Sequence, residues 1–222
     1  MSALARRALA EAVGTALLLA AIVGSGIMGA RLAEGNAYLA LLANSIATGG
    51  ALVALIVAFG PLSGAHFNPL VSALAAWKGD CAWREAAALA AAQTSGAIFG
   101  VLSAHAMFDL PLLQASATLR SGAPLWWSEV VATFGLVTVV LACRNGGARH
   151  APFAIGAYIT GAYWFTASTS FANPAVTIAR SLTDTFSGIR PADAPGFIVA
   201  QAAGAAVAAG FHLAMRGGRT NA

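Results

Sequence analysis

The sequence predicts an all-α integral membrane protein: six transmembrane helices plus two re-entrant half-helices, folded as an inverted repeat. Three observations predict it. Charged residues make up only 9% of the chain and hydrophobic ones 59%, whereas a soluble domain carries about 25% charge because its surface must face water. Long apolar runs stand between clustered charges, the pattern of membrane spans. Short motifs recur in the same order in both halves of the chain.

The spans follow in order. Residues 8–30 contain one charge, Glu11, and residues 32–59 also one, Glu34; residues 86–108, 130–143, 150–179 and 194–215 contain none. Each can supply the roughly 20 residues needed to cross a hydrocarbon core of about 30 Å. The first run lacks a small-residue cleavage site and reads as a retained helix. Six crossings leave little chain for a soluble domain, so residues 1–222 form one unit.

The repeat is explicit. Glu11-Ala-Val-Gly-Thr15 opens the first helix and Glu129-Val-Val-Ala-Thr133 the fourth. Asn68-Pro-Leu-Val71 follows the second helix and Asn173-Pro-Ala-Val176 the fifth; Gln93-Thr-Ser-Gly96 lies in the third and Gln201-Ala-Ala-Gly204 in the sixth. The first repeat spans 1–108 and the second 125–222. Because three crossings is an odd number, the halves insert with opposite orientation, and the functional site of such a repeat lies near the midplane.

Each Asn-Pro follows a stretch rich in small residues and precedes an apolar segment, 69–77 or 174–182, too short to span a bilayer. Asn is a strong helix N-cap and Pro favours the first helical position. Each pair therefore starts a half-helix fed by extended backbone. Irregular backbone survives at membrane depth only where protein buries it or water bathes it. Two half-helices meeting N-terminus to N-terminus describe a water-filled pore.

The net charge of +4 calls for no nucleic-acid partner, since the membrane accounts for it. With both termini cytoplasmic, Arg6, Arg7, Lys78, Arg84, Arg144, Arg149, Arg216 and Arg219 lie inside, against Arg31, Arg120, Arg180 and Arg190 outside. Cys81 and Cys143 fall in cytoplasmic connections, and their spacing suggests neither a metal site nor a disulfide. The Ala- and Arg-rich composition fits a bacterial inner membrane. No cofactor is implied.

Ser63-Gly-Ala-His-Phe-Asn-Pro69, Phe171-Ala-Asn-Pro-Ala175 and Ala10-Glu-Ala-Val-Gly-Thr15 are similar to the signatures of the aquaporin (major intrinsic protein) family, and the resemblance covers nearly the whole chain. It implies a homotetramer with one conducting pore per subunit, and therefore no enzyme activity. Asn68 and Asn173, with Leu70 and Ala175 beside them, are expected at the pore centre. The carbonyls of Gly64, Ala65, His66, Phe67, Thr169, Ser170, Phe171 and Ala172 are expected to form an acceptor ladder. Glu11 and Glu129 are costly intramembrane carboxylates; the resemblance gives them the role of bracing the two re-entrant loops. Gln93 and Gln201 read as bracing or packing groups. His105, His150 and His212 lie near predicted helix ends, and the Gly/Ala-rich stretches permit close helix crossings.

In the family an Arg normally follows the second Asn-Pro-Ala, as one of four positions forming the outer constriction. Here that place holds Val176, and spacing assigns Thr48, Gly161 and Ser170 to the other three. The chain thus resembles the atypical bacterial branch lacking this Arg, and a wider, uncharged gap is expected. Such a gap suits water, glycerol and the arsenous acid class. Tyr158 and Phe165 share a helical face with Gly161, so either ring can narrow the pore, and Arg180 can return charge to the outer mouth or meet a lipid headgroup. Alternatives are a water-selective aquaporin, a secondary transporter and a non-conducting structural membrane protein. An intramembrane enzyme lacks any nucleophile–base or metal constellation.

Overall fold

The computed structural model describes residues 1–144 and 149–217. Among them the chain is helical throughout: α1 (Ala3–Leu32), α2 (Ala37–Ser63), α3 (Pro69–Trp77), α4 (Trp83–Met107), α5 (Ala123–Arg144), α6 (Ala151–Phe165), α7 (Pro174–Arg180) and, after a 3-10 turn at Pro191–Asp193, α8 (Ala194–Gly217). The side chains of Arg144 and Arg216, and all of Arg219, which entered the charge asymmetry, lie outside the described residues.

Capping sets several of these boundaries. Ser2 Oγ accepts from Ala5 N, and Asn36 Oδ1 from Tyr38 N and Leu39 N, so an orphan donor of the first turn is satisfied at each start. Five helices, α1, α2, α4, α5 and α8, are long and apolar enough to cross a membrane. The remaining crossing, α6, has 15 residues, about 22 Å of helix at 1.5 Å per residue. It stops because Thr166 turns extended, starting the stretch that feeds α7. Its counterpart α2 runs further than the apolar pattern indicates, through Pro61 to Ser63. Proline here removes one ladder bond only a few residues before the helix ends at Gly64, whose φ of 94° needs no Cβ.

The two halves are built alike. In the first, α1 packs on α4 and α2; in the second, α5 packs on α8 and α6; α2 against α6 joins the halves. The closest crossings fall on matched glycines. A methyl at Gly96 would strike the Ala12 carbonyl, and one at Gly204 the Val130 carbonyl. With lipid as solvent, such contact replaces hydrophobic sequestration as the adhesive between helices. Gly204→Val is therefore expected to cost about 1–3 kcal/mol of overpacking and lower the detergent melting temperature by about 5 °C. Gly210→Val, whose Cβ meets nothing within 4 Å, is expected to leave it unchanged. Equal melting of both variants would remove the close crossing as a stabilising contact.

Arg7 lies 3.9 Å from Glu85 and donates to the Ser63 carbonyl, so the starts of α1 and α4 and the end of α2 share one face of the molecule. At the other face the 108–122 connection is stitched to the 181–193 segment. Gln114 N and Ser116 N donate to the Leu182 and Ser181 carbonyls, and Arg190 N to Thr118 O. Buried His105 is part of this layer, its ring nitrogens 2.8 Å from Leu112 O and 2.7 Å from Thr183 Oγ1.

Candidate functional site

Both re-entrant loops carry the same backbone strain. Ala65 and Phe67 in the first, Ser170 and Ala172 in the second, all have φ between 46° and 51°. Left-handed φ at non-glycine residues is costly and persists only where surroundings enforce it. The enforcement comes from two buried carboxylates. Glu11 accepts from His66 N (2.9 Å), Phe67 N (2.6 Å), Ser63 Oγ (2.6 Å) and Gln93 Nε2 (2.8 Å). Glu129 accepts from Phe171 N (2.9 Å), Ala172 N (2.8 Å), Ser168 Oγ (2.6 Å) and Gln201 Nε2 (2.7 Å). Both carboxylates are fully buried. With every donor neutral, each carboxylate holds two consecutive amides inward and so turns the neighbouring carbonyls elsewhere. Gln93 and Gln201 also reach Ser72 and Thr177, linking the braces to α3 and α7.

The loops meet through their asparagines. Asn68 Oδ1 caps α3 by accepting from Leu70 N, and Asn173 Oδ1 caps α7 by accepting from Ala175 N and Val176 N. Each amide nitrogen then crosses over: Asn68 Nδ2 donates to Ala172 O at 2.8 Å, and Asn173 Nδ2 to Phe67 O at 2.7 Å. Residues 105 apart in sequence are thereby locked tip to tip.

A cavity of about 210 Å³ passes this junction. Its walls repeat the symmetry. Leu18 and Ile22 of α1 correspond to Leu136 and Val140 of α5; Thr48, Leu52 and Ile56 of α2 face Ile155, Ile159 and Tyr163 of α6. Gly64, Ala65, His66, Phe67, Ser170 and Phe171 line it from the loops, with Val71 and Val176 from the half-helices. Thr169 and Ala172 stand off the wall among the described residues. The Phe67 and Ala172 carbonyls accept the asparagine amides.

Other expectations change as well. Leu70 does not line this cavity; it lies in an apolar groove between α3 and α8 with Leu74, Trp77 and Leu213. Two residues along a helix is a rotation of about 200°, so Asn68 and Val71 share the cavity face while Leu70 takes the opposite one. Ala175, two residues after Asn173, is likewise buried in the core behind it. Gly161 is exposed, with open space where a Cβ would be. The Ile155–Ile159–Tyr163 stripe, spaced by four, holds the cavity face, and Gly161 falls two residues out of phase with it.

The cavity wall near Thr48 is therefore built from other residues. Tyr163 is buried, with its hydroxyl 3.2 Å from Thr48 Oγ1. Tyr158 instead donates to the Ala132 carbonyl of α5 and packs against the half-exposed Phe165, so neither ring borders the cavity. Arg180, one turn beyond Val176, does border it, at only 2% exposure. Val176 rather than an arginine follows the second Asn-Pro-Ala, yet Arg180 also lines the cavity. Tyr163 was missed because α6 is apolar on its lipid and cavity sides alike; the spacing by four was the available signal.

The Major intrinsic protein family model matches residues 1–168. The chain is 57% identical over 205 residues to aquaglyceroporin AqpS of Rhizobium meliloti (strain 1021), covering 92% of this chain and 88% of that protein. It is 29% identical over 195 residues to aquaporin NIP2-3 of Zea mays, covering 84% of this chain and 63% of that one. Its fold matches the solved aquaglyceroporin of Plasmodium falciparum with a TM-score of 0.73 at 20% identity, over 94% and 95% of the two chains. With matched loops meeting at paired asparagines inside a multi-pass helical frame, this chain belongs to the major intrinsic protein family of membrane channels.

Proposed function

We propose that the chain is a passive channel for small uncharged, hydroxylated solutes, with water, glycerol and the arsenous acid class as its cargo. The observation that carries this reading is the cavity that both repeats line and that runs past Asn68 and Asn173. Its volume holds a file of several water-sized molecules. Aliphatic stripes on α1, α2, α5 and α6 make most of the wall, and polar groups gather at the loops and the throat. A solute that sheds part of its hydration there must exchange it for amide donors, loop carbonyls and hydroxyls. Uncharged polyols and trihydroxides do so at far lower desolvation cost than ions. The name of the Rhizobium relative supports glycerol as one member of the class.

In this reading Thr48, Tyr163, Ser170 and Val176 set the width of the throat. Val176 leaves more room than a long cationic side chain on the same turn, which favours glycerol-sized solutes over strict water selectivity. Glu11 and Glu129 act as braces, since their oxygens are occupied by loop and glutamine donors. Residues 1–108 and 125–222 are the two repeats. The protein assembles as a homotetramer in an inner membrane with both termini cytoplasmic, which puts the Arg7–Glu85 face inside.

Stopped-flow light scattering of proteoliposomes with water, glycerol, urea and arsenite separately tests the proposal. All four are expected to cross faster than in protein-free vesicles, and passage of water alone would refute the broad-solute reading. Val176→Arg is expected to reduce glycerol and arsenite flux by about tenfold while sparing most water flux. Equal losses of both, in correctly assembled protein, would exclude Val176 from the throat.

A further inference from the structure

We propose that Arg180 is the charge-selecting residue of this pore: a fixed guanidinium in the throat wall that excludes cations and presents donors to the acceptor oxygens of passing neutral solutes. The inference rests on the cavity being the conduction path and names the residue that sets its charge preference.

Four observations carry it. Arg180 is 2% exposed and lines the cavity with Val176, Ser170, Thr48 and Tyr163. Its side chain is fixed: Nε donates to the Ser187 carbonyl, and the guanidinium carbon sits 3.4 Å from the centroid of the Phe171 ring. It has no carboxylate partner among the described residues. The nearby Glu129 has both oxygens occupied by four other donors. Finally, a second cation, Arg120, lies over the same ring at 5.1 Å, tied to the Gly188 and Ser168 carbonyls.

A buried guanidinium without a counter-ion is expensive unless water or a solute solvates it. Here Arg180 borders the cavity, which Ser170 also lines, and the buried Ser170 Oγ has no partner in the protein. Electrostatics then fixes the consequence. At an effective dielectric of about 20, a unit positive charge passing about 5 Å from the guanidinium is disfavoured by roughly two orders of magnitude. A neutral solute of the same shape pays no such penalty and gains a hydrogen bond.

Urea and guanidinium are planar molecules of similar shape that differ in charge, so their flux ratio reads the barrier. Purified full-length protein in liposomes, with potassium and valinomycin carrying the compensating charge, is expected to pass urea and to hold guanidinium at the protein-free level. Arg180→Ala is expected to raise guanidinium flux at least tenfold while urea still crosses, and Arg180→Lys to preserve exclusion. Val176→Arg added to Arg180→Ala is expected to restore exclusion, because residue 176 lies one turn back on the same face of α7 and borders the same cavity. Ser170→Asp leaves Arg180 in place but adds a carboxylate to the wall of the same cavity. Aspartate tolerates the left-handed backbone at this position, and this variant is also expected to admit guanidinium. Background guanidinium flux in urea-conducting Arg180→Ala or Ser170→Asp channels would overturn the proposal. So would loss of all flux in both variants, which would make Arg180 a strut. A wild-type protein that passes neither urea nor water would instead refute the conduction reading itself.

Discussion

Glu129→Ala is expected to yield no correctly folded protein: recovery of monodisperse material from detergent falls to background, and no water or glycerol flux is measured. The reason is the number of groups that depend on one carboxylate. Phe171 N, Ala172 N, Ser168 Oγ and Gln201 Nε2 all donate to it within a fully buried site. Hydrogen bonds to a charged group contribute about 1.5–3 kcal/mol each, and a buried donor left unpaired costs its desolvation. Even partial relaxation leaves a deficit of several kcal/mol against a total stability of about 5–15 kcal/mol. The remaining ties of the loop, such as Asn68 Nδ2 to Ala172 O and Ser170 N to Ser168 Oγ, leave the Phe171 and Ala172 amides unpaired beside residues at φ of 51° and 47°. Glu129→Gln separates shape from acceptor chemistry. It keeps one oxygen acceptor but turns an NH₂ toward a backbone amide that can only donate, so it is expected to fold in reduced yield with a melting temperature well below wild type. A Glu129→Ala protein with wild-type melting and flux would show that the carboxylate braces nothing.

The same logic explains which parts of the fold were legible in the sequence. The half-helix starts were legible because Asn-Pro acts over three residues: the cap acceptor and the fixed proline φ do not depend on distant chain. The buried glutamates were legible because an intramembrane carboxylate must have a purpose, and the family resemblance gave each the task of bracing its loop. The matching helix contacts of the two halves were foreshadowed by motif order. Lateral register was not. In a soluble helix one apolar stripe marks the interior, but α6 is bordered by lipid on one side and an aliphatic cavity wall on the other. Hydrophobicity therefore does not distinguish Gly161 from the Ile159–Tyr163 face. Leu70 and Arg180 show the same limit on the half-helices. Which face of α3 meets the cavity is set by where Asn68 points. Whether Arg180 meets lipid or the cavity is set by Phe171 and Ser187, residues outside its own helix.

The asparagine pair carries the other large expectation, and two variants at one position separate its roles. Asn173→Ala removes both the α7 cap and the amide that donates to Phe67 O at 2.7 Å. Cap loss alone costs about 0.5–2 kcal/mol, and the inter-loop bond about 1 kcal/mol more. Asn173→Asp keeps an oxygen positioned to accept from Ala175 N and Val176 N, near the partly positive start of the helix. It loses the donor and sets oxygen against the Phe67 carbonyl. Stability is therefore expected to fall more in the alanine variant, while flux falls in both. Each asparagine amide has two N–H groups and commits one to the opposite loop, leaving the other to a solute in the cavity that both residues line. Losing a donor worth about 1 kcal/mol slows passage by roughly fivefold. Altering Asn68 and Asn173 together is expected to slow water and glycerol by more than about tenfold. Melting temperatures from detergent and single-channel permeabilities from light scattering give the two readouts. Aspartate and alanine variants that conduct like wild type would reduce the asparagines to helix caps; a flux deficit common to both, without a common loss of stability, identifies the amide donor as the group the solute meets midway.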